Sequence, residues 1–371
     1  MKSPAIVFPR PYEITYREVE VPDALGPTDV LVRTQYSGLS TGTERWLLTA
    51  RFFRGDSPLG GDASFPLVPG YQKVGVVERV GDRVSAFRPG DRVFCTVGRI
   101  TAGARSRDSG DARGGHLRYS VQDQSEVISL PPGIDPRAGA GLVLAQVGWN
   151  GASRPPIQPG DVALVLGDGL VGQYAAQRLR ERGAQVLLSG RRPFRLDLAQ
   201  QHSADAVHDA RTTDLAEALT RFRAVAGARP SPATPTVDWL GPEEAALADS
   251  RLEDDQRGAA VIVDTTGARE TIQRASGLLR HNGHLVLLGW YPEPENELLE
   301  DWLHRREVTW YGTGGWRRHR LLGALTSIAA GQLKPEALVT HQIPVADAPR
   351  AYRELLLEKQ SDFLGVVFQW E

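Results

Sequence analysis

Gly167, Gly169 and Gly172 stand in "VLGDGLVG" as G-x-G-x-x-G. Between a strand and a helix that spacing serves a dinucleotide. The first glycine permits the tight turn, the second lets backbone approach a pyrophosphate, and the third lets helix and strand pack closely. The helix N-terminus, opened by Leu170 and Val171, then faces the phosphates. Without those flanking elements the same spacing reads as a structural glycine turn. Gly190 follows where an acidic residue would bind the ribose 2′-hydroxyl, and Arg191 and Arg192 come next. Glycine leaves room for a 2′-phosphate, guanidinium groups bind it through paired hydrogen bonds, and Ser189 can add a hydroxyl donor. These residues predict NADP(H) rather than NAD(H). The competing reading makes both arginines solvated loop charges.

The elements around these residues have the required order. "GDVALVLGDGLVGQYAAQRLRERGAQVLLSGRR" reads as strand, glycine turn, helix, strand, with Val171, Ala175 and Leu179 on one helical stripe. "AAVIVDTTG" and "GHLVLLGWY" are two further buried strands, with a helix over "ETIQRASGLLRHNG" between them. Alternating strands and helices predict a parallel sheet. Upstream, "DVLVRTQYSGL", "KVGVVERVG", "FRPGDRVFC" and "GGHLRYSVQD" read as short strands and turns, so the first 145 residues form a mostly β domain. Residues 225–257, rich in Ala, Pro and acidic side chains, read as an exposed insertion, with a lid or subunit contact as the sharper alternative.

Bulk properties narrow the partners. The 371 residues suit about two domains. A formal charge of −2, from 43 basic and 45 acidic residues, gives no electrostatic case for nucleic acid or an anionic membrane. No apolar run approaches the roughly 18 residues of a membrane span, and "MKSPAIVFPRPYE" lacks the apolar segment of a signal peptide. Cys95 is the sole cysteine, which excludes an internal disulfide and a cysteine-rich zinc site. A reducing, cytoplasmic setting fits, and Cys95 is expected to be buried and inert.

"FPLVPGYQKVGVVERVG", "FRPGDRVF", "GGHLRYSV", "VLGDGLVG", "VDTTG" and "THQIPVADAPRAY" occur in an order that resembles the medium-chain dehydrogenase/reductase superfamily along nearly the full chain. "YSGLSTGTE" with "LVPGYQKVG" is similar to its zinc-free branch that contains bacteriochlorophyllide a dehydrogenase. The resemblance implies an α/β fold: a GroES-like, mostly-β catalytic domain over 1–145, a Rossmann doubly wound parallel sheet over 146–315, and a C-terminal return to the catalytic domain over 316–371. It also implies that Thr265, Thr266 and Gly289 contribute to the cofactor site, and that the protein is a homo-oligomer, a dimer, acting on a small molecule.

Zinc members supply a Cys that falls here at Ser40, a His-Glu pair at Tyr71-Gln72, and a third ligand near Leu144 or Ala145. None of these side chains suits zinc, so no metal is expected. Hydride transfer to a carbonyl still needs a group that stabilises the developing alkoxide. Tyr71 could donate a proton, Ser40 and Thr41 could bind the same oxygen or relay the proton, and Glu44 could take one up. The bland alternatives are packing for Tyr71, a helix start for Ser40, Thr41 and above all Thr43, backbone satisfaction for Gln72, surface pairing of Glu44 with Arg45 or Arg51, and a strand position for His116.

By the resemblance, Gln72, Trp149, Trp290 and Tyr291 line a substrate pocket for a bulky, flat molecule, whereas Trp310 reads as core packing. The leading expectation is an NADP(H)-dependent, zinc-independent oxidoreductase acting on a carbonyl or secondary alcohol. The alternatives are a quinone or enoyl reductase and a non-catalytic NADPH-binding protein.

Overall fold

The computed structural model describes residues 1–51, 65–104, 112–226, 258–289, 306–358, 360 and 362–370. They form two compact units. The first joins residues 1–144 to 317–371, and the second is 145–316.

Along the chain, the first unit contains β1 (Lys2–Val7), β2 (Thr15–Glu20), β3 (Asp29–Gly38), α1 (Thr41–Leu48), β4 (Lys73–Val80), β5 (Arg92–Cys95), β6 (Gly98–Ile100), β7 (Ala112–Gly114), β8 (Tyr119–Asp123), β9 (Val127–Ser129) and α2 (Pro136–Gly139). Helix α3 (Leu142–Ala152) leads into the second unit. There follow β10 (Val162–Leu166), α4 (Leu170–Glu181), β11 (Gln185–Gly190), α5 (Pro193–His202), β12 (Ala206–Asp209), β13 (Ala259–Asp264), β14 (Leu279–Leu287) and β15 (Thr309–Gly312). Strands β16 (Val339–Pro344) and β17 (Gly365–Gln369) return to the first unit.

The second unit is a six-stranded sheet in the order β12-β11-β10-β13-β14-β15, and every pairing in it is parallel. Strands β10 and β13 are buried at every residue, as a sheet covered on both faces requires. On α4, Ala175 and Leu179 are fully buried, while Val171 in the first turn keeps partial exposure. The helix expected over 270–283 ends early, at Ser276. Leu279 already pairs with Ala259, and Asn282 takes a left-handed φ of 54° where the β13–β14 register shifts. That irregularity allows a strand where the sequence continues a helical periodicity. Trp310 is another correction: it lies on β15, at the edge of the sheet, and is 48% exposed.

In the first unit a seven-stranded sheet runs β16-β17-β3-β4-β5-β9, with β8 also paired to β3. β17, from the end of the chain, pairs antiparallel with β3 over Gly38–Tyr36. β3 ends beside the start of β4, Ser37 against Lys73. Ser40 and Tyr71, 31 positions apart, are thereby brought within bonding reach. Cys95 lies on β5, fully buried, and that burial pushes its thiol pKa up. Among the described residues no helix is long and apolar enough to cross a membrane. Residues 227–257, most of the expected insertion, lie outside the described residues.

Candidate active site

Ser40 is the residue from which α1 starts, yet its side chain does not cap the helix. Glu44 does that work in reverse, its Oε1 accepting the Ser40 N–H at 2.7 Å. The Ser40 hydroxyl is left for Tyr71, whose phenol donates to it in a short bond. Thr43 Oγ1 lies 3.5 Å from the same phenol oxygen. The three hydroxyls form one group, and among the described residues the Ser40 proton has no acceptor. Part of the Tyr71 ring is exposed, but its hydroxyl end is enclosed. That burial pushes the phenol up to about 12, against the opposing pull of Ser40 and Thr43 and with a smaller push from the Glu44 charge. Tyr71 therefore holds its proton throughout the neutral range.

Close backbone contacts hold Tyr71 there. Gly70 has a φ of 81°, and a Cβ on it would meet the His116 ring at 2.5 Å. A Cβ on Gly115 would stand 2.4 Å from the Tyr71 nitrogen. The N–H groups of Gly115 and His116 both donate to the Pro69 carbonyl. "GGH" is thus the seat on which "PGY" rests.

Beneath the hydroxyls lies a buried polar network. Glu44 is fully buried, which rules out the surface pairing with Arg45 or Arg51. Its Oε2 faces His116 Nε2 at 3.0 Å and accepts a short bond from the Tyr352 hydroxyl. His116 Nδ1 lies 2.8 Å from Ser37 Oγ, and Ser37 Oγ accepts from Trp370 Nε1 at 2.8 Å. One proton assignment uses each donor once: Trp370 to Ser37, Ser37 to His116 Nδ1, His116 Nε2–H to Glu44. Burial, then the Glu44 charge, hold the Tyr352 phenol well above the ordinary tyrosine range. His116 is a loop residue between β7 and β8 rather than a strand residue.

The other expected site residues are placed as follows. Thr41 opens α1, half-exposed. Gln72 is buried, its Oε1 accepting from the N–H groups of Val143 at 3.1 Å and Leu144 at 3.3 Å. It satisfies the free N-terminus of α3, so its amide is not offered to a substrate. Trp149 lies under the Arg178 guanidinium, 5.0 Å from ring centroid to Cζ, and packs α3 on α4. Trp290 and Tyr291 lie outside the described residues. The side chains now at the expected zinc positions, Ser40, Tyr71, Gln72 and Leu144, do not form a donor set that fits zinc. Among the described residues no group of three or more His, Cys, Asp or Glu is placed to hold a metal.

In the second unit the glycine loop fits a dinucleotide. Gly167 has a φ of 111°, and a Cβ there would meet Thr265 Oγ1 at 2.3 Å. A Cβ on Gly172 would lie 2.1 Å from the Gly167 carbonyl oxygen. A Cβ on Gly169 would meet nothing within 4 Å, so this glycine leaves an open approach at the start of α4. Leu170 and Val171 form the first turn, whose N–H groups have no intrahelical acceptor. Thr265 Oγ1 donates to the Leu166 carbonyl at 2.8 Å, and Thr266 Oγ1 to the buried Asp264 carboxylate at 2.6 Å. These hydroxyls shape the turn after β13. Gly289 packs on that turn, where a Cβ would meet Gly267 N at 2.3 Å. Ser189 is buried with its hydroxyl 2.9 Å from His208 Nδ1, so it is not an open donor at the strand end. Arg191 is exposed and Arg192 half-exposed. Asp168, between the first two glycines, bonds to the backbone of both arginines, a feature that the sequence reading missed.

Comparison with known proteins gives two family matches in series. Residues 26–132 match the alcohol dehydrogenase GroES-like domain, and 171–330 match the zinc-binding dehydrogenase model. A 2-desacetyl-2-hydroxyethyl bacteriochlorophyllide A dehydrogenase of Rhodobacter capsulatus is 28% identical over 353 residues, covering 93% of this chain and 91% of its own. An Escherichia coli oxidoreductase/dehydrogenase shares the fold over the full length of both chains, with a TM-score of 0.79 and 22% identity. A Sinorhizobium meliloti zinc-binding dehydrogenase bound to NADP has a TM-score of 0.74 and 22% identity, covering 100% of this chain and 99% of its own.

The Glu44 network predicts the outcome of an isosteric change. Glu44→Gln places an amide against groups that donate, and should cost about 1–3 kcal/mol. Thermal unfolding should show a lower midpoint; an unchanged midpoint would remove the network from the account.

Proposed function

Because the chain belongs to the medium-chain, alcohol dehydrogenase-like superfamily, we propose that it is an NADP(H)-dependent, zinc-independent oxidoreductase acting on a carbonyl or secondary alcohol of a bulky small molecule. The observation that carries this reading is the Tyr71–Ser40 hydroxyl pair, at positions where the sequence resemblance would put metal ligands. When bound, a nicotinamide nucleotide would supply or accept the hydride. The glycine loop at 167–172 and the turn at 190–192 are the residues that would hold it. Arg191, exposed and preceded by Gly190 rather than by an acidic residue, supports a 2′-phosphate, with the Asp168 carboxylate at its backbone as the opposing feature. The NADP in one fold neighbour also supports a 2′-phosphate.

Tyr71 and Ser40 handle the proton. Tyr71 donates to Ser40 Oγ, which strengthens the Ser40 hydroxyl as a donor. Ser40 gives its proton to a developing alkoxide, Tyr71 replaces it, and the partly exposed Tyr71 takes up a proton from solvent to close the cycle. In the oxidative direction the same transfers run in reverse, from a Tyr71 that has first given its proton to solvent. Thr43 stands behind the phenol as the next hydroxyl. The relative that acts on bacteriochlorophyllide supports a large, flat substrate.

A panel of ketones, secondary alcohols and enones, followed at the nicotinamide absorbance band, identifies the class turned over. On the best substrate, Tyr71→Phe should lower turnover by about 10²–10⁴-fold while nucleotide affinity stays at the parent value. Turnover at the parent rate would make Tyr71 a packing residue.

Chelation tests the metal separately. Turnover should survive EDTA, and protein purified without added metal should hold no stoichiometric zinc. Activity that vanishes with EDTA and returns with zinc would refute the metal-free reading.

A further inference from the structure

Asp168 is the middle residue of the first G-x-G, and its carboxylate reaches the end of β11. Oδ2 accepts the N–H of Arg191 at 2.7 Å and that of Arg192 at 2.9 Å. Oδ1 lies 3.7 Å from Arg195 Nη1, an ion pair. Both side chains are only 12% exposed. Gly190 makes the room: a Cβ there would meet Asp168 Cβ at 2.5 Å and Oδ2 at 2.6 Å. The space where a side chain on residue 190 would begin is thus filled by a carboxylate from the preceding loop.

Two consequences follow for a nucleotide held on this loop. The N–H groups of Arg191 and Arg192, natural donors to a 2′-phosphate, are already occupied by an anion. A negative charge also stands at the Arg191 backbone, partly offset by Arg195. A hydroxyl can use the lone pairs left on Oδ1, whereas a phosphate meets like charge.

We propose that Asp168 is the specificity-determining residue of the nucleotide site: it accepts a ribose hydroxyl and opposes a 2′-phosphate, so the choice between NADH and NADPH is a contest between Asp168 and the Arg191 guanidinium. This rests on the nucleotide-binding reading above, but not on which nucleotide wins in the parent protein. Asp168→Asn keeps an acceptor for the two N–H groups and removes the charge. Asp168→Ser removes the carboxylate with a smaller side chain, and Arg191→Ala is the opposing control.

Fluorescence titration with NADH and with NADPH reads the four proteins without any substrate. Asp168→Asn should shift the ratio of the two dissociation constants about tenfold toward NADPH. Asp168→Ser should move it the same way, and Arg191→Ala toward NADH. If the parent binds nucleotide and neither Asp168 variant moves the ratio toward NADPH, the proposal fails alone. If the parent binds neither nucleotide, the nucleotide reading fails and takes the proposal with it.

Discussion

A fully buried carboxylate must be answered by donors, because an unpaired charge in a protein interior is costly. Glu44 is such a carboxylate, and its donors come from three separate parts of the chain. Ser40 N–H lies at the start of its own helix, His116 on the "GGH" loop, and Tyr352 in the C-terminal return. Ser37 extends the network to Trp370, one residue past β17. One charge therefore fastens the C-terminal segment to the strand end that carries Ser40. The hydroxyl pair proposed for proton transfer stands on that fastening, through the Ser40 N–H bonded to Glu44.

The nucleotide half is positioned by close approach rather than by charge. Gly167, Gly172 and Gly289 are glycines because backbone or a threonine hydroxyl occupies the place of a side chain. Gly169 differs, with open space where the others have neighbours. Asp168 adds a charged element to this otherwise steric design, locking the turn after β11 to the loop after β10.

The sequence made the nucleotide sheet legible because each of its signals is local. A buried strand, a glycine turn and an amphipathic helix are adjacent in the chain, and parallel pairing follows from their alternation. Glu44 was opaque because its partners lie 72 and 308 positions away. An acid near Arg45 and Arg51 reads as a surface residue until the fold brings His116 and Tyr352 to it. Thr43 read as part of a helix start, which it is, but the helix turns its hydroxyl toward Tyr71. Trp149 and Ser189 were assigned by position alone, and the structure gives their side chains to Arg178 and His208. Nothing in "YQKVG" announces that Lys73 is fully buried with its Nζ donating to the Thr96 carbonyl.

The central claim is that Ser40 and Tyr71 act as one proton-donating unit where related enzymes place a metal. A double-mutant cycle with Ser40→Ala, Tyr71→Phe and the double variant measures that coupling directly. Two steps of one relay are lost together, so the double variant should turn over about as slowly as the worse single variant. Losses that multiply, giving a double variant slower by the product of the two single effects, would contradict the relay and leave two independent contributions.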